Sequence, residues 1–198
     1  LANEYGINQK SSWLLKRKTQ EAMKSSGVHL LTGHVEVDEL MIGGIEEGKR
    51  GRSKGDKKLV VLAVEKVKDD KIGRAYATTI ENAGAKSFRS FFEKHIDSDN
   101  AQIKTDGWRG YWPLENEFEI KQKPSDKGKN FKELHVVIMN LKGWLRGIHH
   151  KCSEKFMNGY LDEFFFKFNR RNHLSTIWHK LTVRMMEHVP YAYKANAT

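Results

Sequence analysis

Two aspartates far apart in the chain each stand at the end of an apolar, strand-like run. Asp38 lies in Val35-Glu36-Val37-Asp38-Glu39, which runs on to Gly43-Gly44, and Asp106 lies in Thr105-Asp106-Gly107-Trp108. A carboxylate inside an apolar run is costly to bury unless a partner or a cation answers it. A twisted sheet brings the ends of distant strands together, so the pattern points to a fold that gathers oxygen ligands there. A third stretch, His135 to His150, carries Asn140 on a helical pattern. Two carboxylates and a third oxygen suit Mg2+ or Mn2+, hard cations that serve phosphoryl transfer. Against this stands a bland reading, in which Asp38 points outward to a lysine and Asp106 forms a turn before Gly107. Glu39 faces the opposite side of a strand from Asp38, and an outward lysine pair is the better expectation for it.

The 198 residues suffice for one globular unit with a core, and 38% hydrophobic content argues against disorder. Lys and Arg number 35 against 25 Asp and Glu, for a net charge of +10 and a sequence pI near 9.6. That balance favours a polyanionic partner, although basic surfaces also occur without one. The single Cys152 excludes an internal disulfide and a thiolate-built zinc site, as suits a reducing cytoplasm. No apolar run approaches the ~20 residues of a spanning helix, and no signal peptide is evident. The chain begins at Leu1 rather than Met, so a fragment is expected.

Residues 1–26 read as helical, with a turn at Gly6-Ile7 and Ser11 as the cap. Leu14, Leu15, Ala22 and Met23 recur on one face, and Lys16, Arg17, Lys18 and Lys24 lie elsewhere. This has the form of the second half of a helix-turn-helix; an amphipathic helix packed on the main domain fits equally well. The division expected is 1–27, a partial DNA-binding helix unit, and 28–198, the main domain.

Strand-like runs follow at Val35 to Ile42, Leu59 to Val67 and Arg74 to Ile80. After a helix from Ala85 to Ile96 comes another strand, Ala101 to Thr105, an α/β order. Between the first two strands, Glu46 to Lys58 carries Lys49, Arg50, Arg52, Lys54, Lys57 and Lys58 among glycines. It reads as a mobile basic loop, a clamp for phosphate backbone rather than a solvated turn. Past Trp108 the chain turns helical, Lys121 to Asn130 reads as a polar loop, and His135 to Ile148 as a helix. Ser153 caps a core helix bearing Phe156, Met157, Tyr160, Leu161, Phe164, Phe165 and Phe168, and Leu174 to His188 forms the last one.

Four motifs in one order give the chain a resemblance to the DDE-type transposases of bacterial insertion sequences. That group opens its RNase H-like domain with V-E-V-D-E-x-x-I-G-G and continues through S/T-D-G-W-x-x-Y and a histidine-led helix to Y-L-D-E-F-x-F-x-F-N-R-R. Here these stand as Val35 to Gly44, Thr105 to Tyr111, His135 to His150, and Tyr160 to Arg171.

The resemblance implies an RNase H-like α/β fold, a five-stranded mixed sheet flanked by helices. It places Asp38 and Asp106 as ligands of Mg2+ or Mn2+. The fifth residue after His135 is Asn140, matching the subset with D, D, N, and Glu133 and Glu163 are the nearby carboxylates that would replace it. Arg146 or Lys142 fills the basic position after the third ligand. Arg109, His149, His150, Arg170 and Arg171 join the basic loop as candidate DNA contacts, with a plain helix-end charge pair as the competing reading of the two arginines. The implied activity is metal-dependent DNA cleavage and strand transfer by a homo-oligomer on the element ends and target. An inactive DNA-binding remnant and an RNase H-like nuclease or resolvase remain the rivals.

Overall fold

The computed structural model describes residues 2–43, 57–68, 71–126, 128–149 and 152–189. Its organising element is β1 (Leu31–Ile42), which is apolar on both sides: Val35 and Val37 enter one core, and Leu40 and Ile42 enter another. Only a central strand covered on both faces buries such a pattern. β2 (Lys58–Lys66) pairs antiparallel with β1, and β3 (Ile72–Ile80) pairs antiparallel with β2. β4 (Ile96–Thr105) lies parallel to β1 on its other side, followed by the short parallel strand β5 (Ile120–Gln122). The order β3-β2-β1-β4-β5 makes the mixed five-stranded sheet that the resemblance implies.

Helices cover both faces. Preceding the first strand are α1 (Ala2–Tyr5) and α2 (Gln9–Met23); α3 (Ala85–His95) bridges β3 and β4. α3 lays Phe88, Phe91 and Phe92 on one face, where Phe88 stacks on the ring of Tyr111 at 4.2 Å. The opposite face takes α4 (Lys132–Ile148) through Leu134, Val137, Leu141 and Leu145. It also takes α5 (Glu154–Phe168) through Met157, Leu161 and Phe165. Each such side chain contributes about 1.5–3 kcal/mol when fully buried. A last helix, α6 (Ile177–Glu187), packs with α2 and α5 around Ala22, Met23, Phe166 and Leu181.

Several elements depart from the sequence reading. Asn8, not Ser11, caps α2, its side-chain oxygen accepting the Ser11 N–H at 2.8 Å. α1 is a single turn, and α2 packs onto α5 through a polar face rather than through Leu15, which is exposed. Arg17 is buried there, donating to Tyr160 Oη at 2.9 Å and to Gln20 at 2.8 Å, with its guanidinium 4.1 Å from the Phe156 ring centre. α2 thus packs on α5, as the packed-helix alternative expects, and a helix-turn-helix is not confirmed by the described residues. β5 falls where a helical stretch and then a loop are expected, and Leu174–Thr176 is a 3₁₀ turn ahead of α6.

The motif ending Asn169-Arg170-Arg171 fastens α5 to β3. Asn169 both accepts from Ala75 N–H at 2.8 Å and donates to Ala75 C=O at 2.9 Å. Arg171 donates to the carbonyls of Gly73 and Ile72, and Arg170 to that of Phe166. Both guanidinium groups also lie on phenylalanine rings, Arg170 at 3.8 Å and Arg171 at 4.2 Å. These arginines make cation–π and backbone contacts within the fold.

Candidate metal centre

The parallel register pairs Val37 with Thr105, so the next residues, Asp38 and Asp106, come side by side at the carboxyl end of the sheet. Carboxylate oxygens of Asp38, Glu39 and Asp106 all lie within 4.8 Å of one another. Ligand bonds of about 2.0–2.6 Å allow one hard cation to span oxygens at that spacing, so the donor set fits Mg2+ or Mn2+.

Local hydrogen bonds hold the acids in place. Asp106 Oδ1 accepts the Trp108 N–H at 3.0 Å, an Asx turn that folds the chain back after β4. Asp38 Oδ1 accepts the Glu39 N–H at 2.8 Å. Glu39 Oε2 accepts the hydroxyl of Tyr111 at 3.0 Å. Burial above all, then the charges of Glu39, Asp38 and Asp106, hold the Tyr111 phenol well above its ordinary pKa, so it remains a donor. Glu39 does face away from Asp38 along the strand, as alternation requires. It joins the cluster because Asp106 stands just past the last paired residue of β4, where both faces of the sheet converge.

His135 is the α4 residue that reaches the acids: its Nε2 is buried 3.9 Å from Asp38 Oδ2. Gly128, in the left-handed region at φ 88°, lets the preceding loop run against this ring. A Cβ there would sit 2.9 Å from Nδ1, so a larger residue would displace the imidazole. Asn140 is exposed on α4. Five residues beyond His135 at roughly 100° each, it lies about 140° further round the helix. Lys142 and Arg146, both exposed, return to the side of His135. Trp144 is half-buried against Phe164 and His149.

The substitutes for Asn140 are engaged elsewhere. Glu133 pairs with Lys66 at 3.3 Å, and Glu163 with Lys167 at 2.7 Å and Gln20 at 2.8 Å. Burial opposes the charge of Glu163, but those two hydrogen bonds keep its carboxyl below the ordinary range. His149 rests on the Tyr160 ring at 4.1 Å, where burial and then Lys16 lower its pKa. Arg109 is exposed, its guanidinium 5.6 Å from the Trp112 ring. Lys57 packs against Gly43 and Lys58 opens β2, whereas Gly44, Lys49, Arg50, Arg52, Lys54 and His150 lie outside the described residues.

Sequence reasoning missed the parts of Glu39, Tyr111 and His135. Tyr111 and His135 stood inside quoted motifs, and that was the available signal.

A mixed sheet with helices on both faces, and acids on β1 beside the end of β4, is consistent with an RNase H-like fold. Residues 30–169 match the family model described as the ISXO2-like transposase domain, and the chain belongs to that family of insertion-sequence transposases. No curated protein matches the chain.

Proposed function

We propose that this protein cleaves DNA at the ends of an insertion sequence and joins the freed strand to a target, using Mg2+ or Mn2+ held by Asp38 and Asp106. The observation that carries this is the convergence of three carboxylates within 4.8 Å where β1 passes the end of its parallel neighbour β4. When bound, the cation supplies a Lewis acid for the phosphodiester and lowers the pKa of water. Tyr111 keeps Glu39 oriented toward the cluster, and His135 backs Asp38 from α4. Lys142 and Arg146 extend from the same side of α4 as His135 and bind the DNA backbone beside the site, together with Arg109 and the basic segment from Lys49 to Lys58. The net charge of +10 supports a polyanionic substrate, and copies of the chain assemble on the paired element ends.

Glu39, already among the acids, supplies the third oxygen in this reading, in the place that the resemblance gives to Asn140. The test is nicking and strand transfer on a supercoiled plasmid carrying the element ends, in Mg2+ and in EDTA. Cleavage that survives Asn140→Ala but not Glu39→Gln assigns the third oxygen to Glu39, and the reverse outcome restores Asn140. Nicking without joined products identifies a nuclease. DNA retention without metal-dependent nicking identifies a binding remnant and overturns the proposal.

A further inference from the structure

A cleft of about 500 Å³ opens directly from the acidic cluster on the α3 side of the sheet, with Asp38 and Glu39 at its mouth. Its walls are apolar: Met41, Leu59, Ala83 and the indole of Trp108. Glu81 and Asn82 add hydrogen-bonding groups at the side. The indole is fixed beforehand, because Trp108 Nε1–H donates to the Ala83 carbonyl at 2.8 Å. Gly110 makes that seat possible, since a Cβ there would come within 2.7 Å of Nε1 and 2.5 Å of the Ala83 oxygen. The described lining holds three carboxylates and no cationic side chain, so it repels a phosphate and does not track a DNA backbone.

From this geometry we propose that the cleft receives an unpaired nucleobase of the DNA strand being cut. The inference rests on the function proposed above: a phosphate held at the acids leaves its own nucleotide's base within reach of a cleft that begins at those same acids. An indole wall, a thioether and aliphatic side chains suit the flat face of a base, and Glu81 with Asn82 suits its polar edge. A base must leave the duplex stack to enter, so the protein favours DNA that is already unpaired at the cut.

The test uses the full chain and two fluorescently labelled duplexes of one sequence, carrying that sequence's element end, one fully paired and one with a short unpaired bubble at the cut. Affinity is read by anisotropy in Mg2+, and nicking is read separately on the same DNA. The wild type should bind the bubble about tenfold more tightly, in line with base–aromatic stacking. Trp108→Ala, which removes a wall, and Ala83→Leu, which narrows the cleft, should each bring the two affinities within about twofold, with thermal melts confirming folded protein. Equal affinity in the wild type, or a preference that both folded variants retain, overturns the inference. Nicking decides the proposed function independently: a wild type that nicks but binds both duplexes equally defeats the cleft alone, and a wild type that prefers the bubble but does not nick defeats the function alone.

Discussion

Glu36 and Asp38 sit two residues apart on one strand and one face, yet their surroundings differ completely. Glu36 is 1% exposed, and Lys104, opposite it in register, donates to its Oε1 at 3.1 Å. Lys66 stands 3.8 Å from the same oxygen and carries the network on to Glu133 of α4 at 3.3 Å. Asp38 has two more carboxylates beside it, and His135 Nε2 lies 3.9 Å from its Oδ2. One acid is held by two lysines and binds strand to strand to helix; the others bring three carboxylates within 4.8 Å of one another, where like charges repel and a cation is attracted. The lesson is that burial alone does not mark a functional carboxylate, whereas the convergence of several carboxylates does.

The sharpest break of this contrast is substitution within each network. Asp38→Asn and Asp106→Asn should each lower metal-dependent nicking at least a hundredfold while leaving the melting temperature unchanged or higher, because repulsion is relieved. A fall of several degrees would place these acids with Glu36 as fold-holding groups. Lys104→Met should do the opposite. It leaves the Glu36 carboxylate under-compensated and should cost about 3 kcal/mol in urea unfolding, with nicking retained at temperatures where the variant is folded.

Asp162 on α5 offers a carboxylate of a third kind. It lines the small cavity among the end of α2, β3, the end of α3, α5 and α6, and burial pushes its pKa up to about 6 against the opposing pull of Lys24 and Lys94. Its folded pKa exceeds the unfolded value, so the folded state holds the extra proton and stability falls as pH rises from about 4 to 6. Asp162→Asn should therefore be more stable than the wild type at pH 7 by up to about 3 kcal/mol, with the gain vanishing near pH 4. His95, lining the same cavity and lowered to about 4 chiefly by burial, loses stability as pH falls below 6.5. It is common to both proteins and cancels from the difference. Equal pH profiles in chemical denaturation would show Asp162 to be compensated like Glu36.

The smallest effect belongs to Tyr111→Phe, which removes one hydrogen bond to Glu39. A loss of about 1 kcal/mol and a few-fold drop in nicking are expected. No change in either would detach Glu39 from the site.

Most of the sheet was legible because β1 to β3 and residues 101–105 of β4 carry buried apolar side chains at strand spacing; the polar first half of β4 carries no such pattern. β5 was not, since Ile120-Lys121-Gln122 is three residues with no pattern of its own and is a strand only because β4 offers it an edge. The polar inner face of α2 was equally hidden, as Arg17 is buried by rings from α5 that come together only in the fold. At the site, Asp38 and Asp106 could be read from strand ends, but Glu39 could not. Alternation sends it to the other face correctly, and only the end of β4 reveals that the two faces meet there.

The fastening of α5 to β3 bears on how molecules of this protein can meet. β3 is an outer strand of the sheet, and an open edge of this kind invites a strand from another chain. Here the outward-facing groups of Ile72, Gly73, Ala75 and Thr79 are already taken by Arg171, Asn169 and Asn158. Side chains thus take the place of a neighbouring strand along part of that edge. A second copy on the same DNA would find these positions of the edge already bonded.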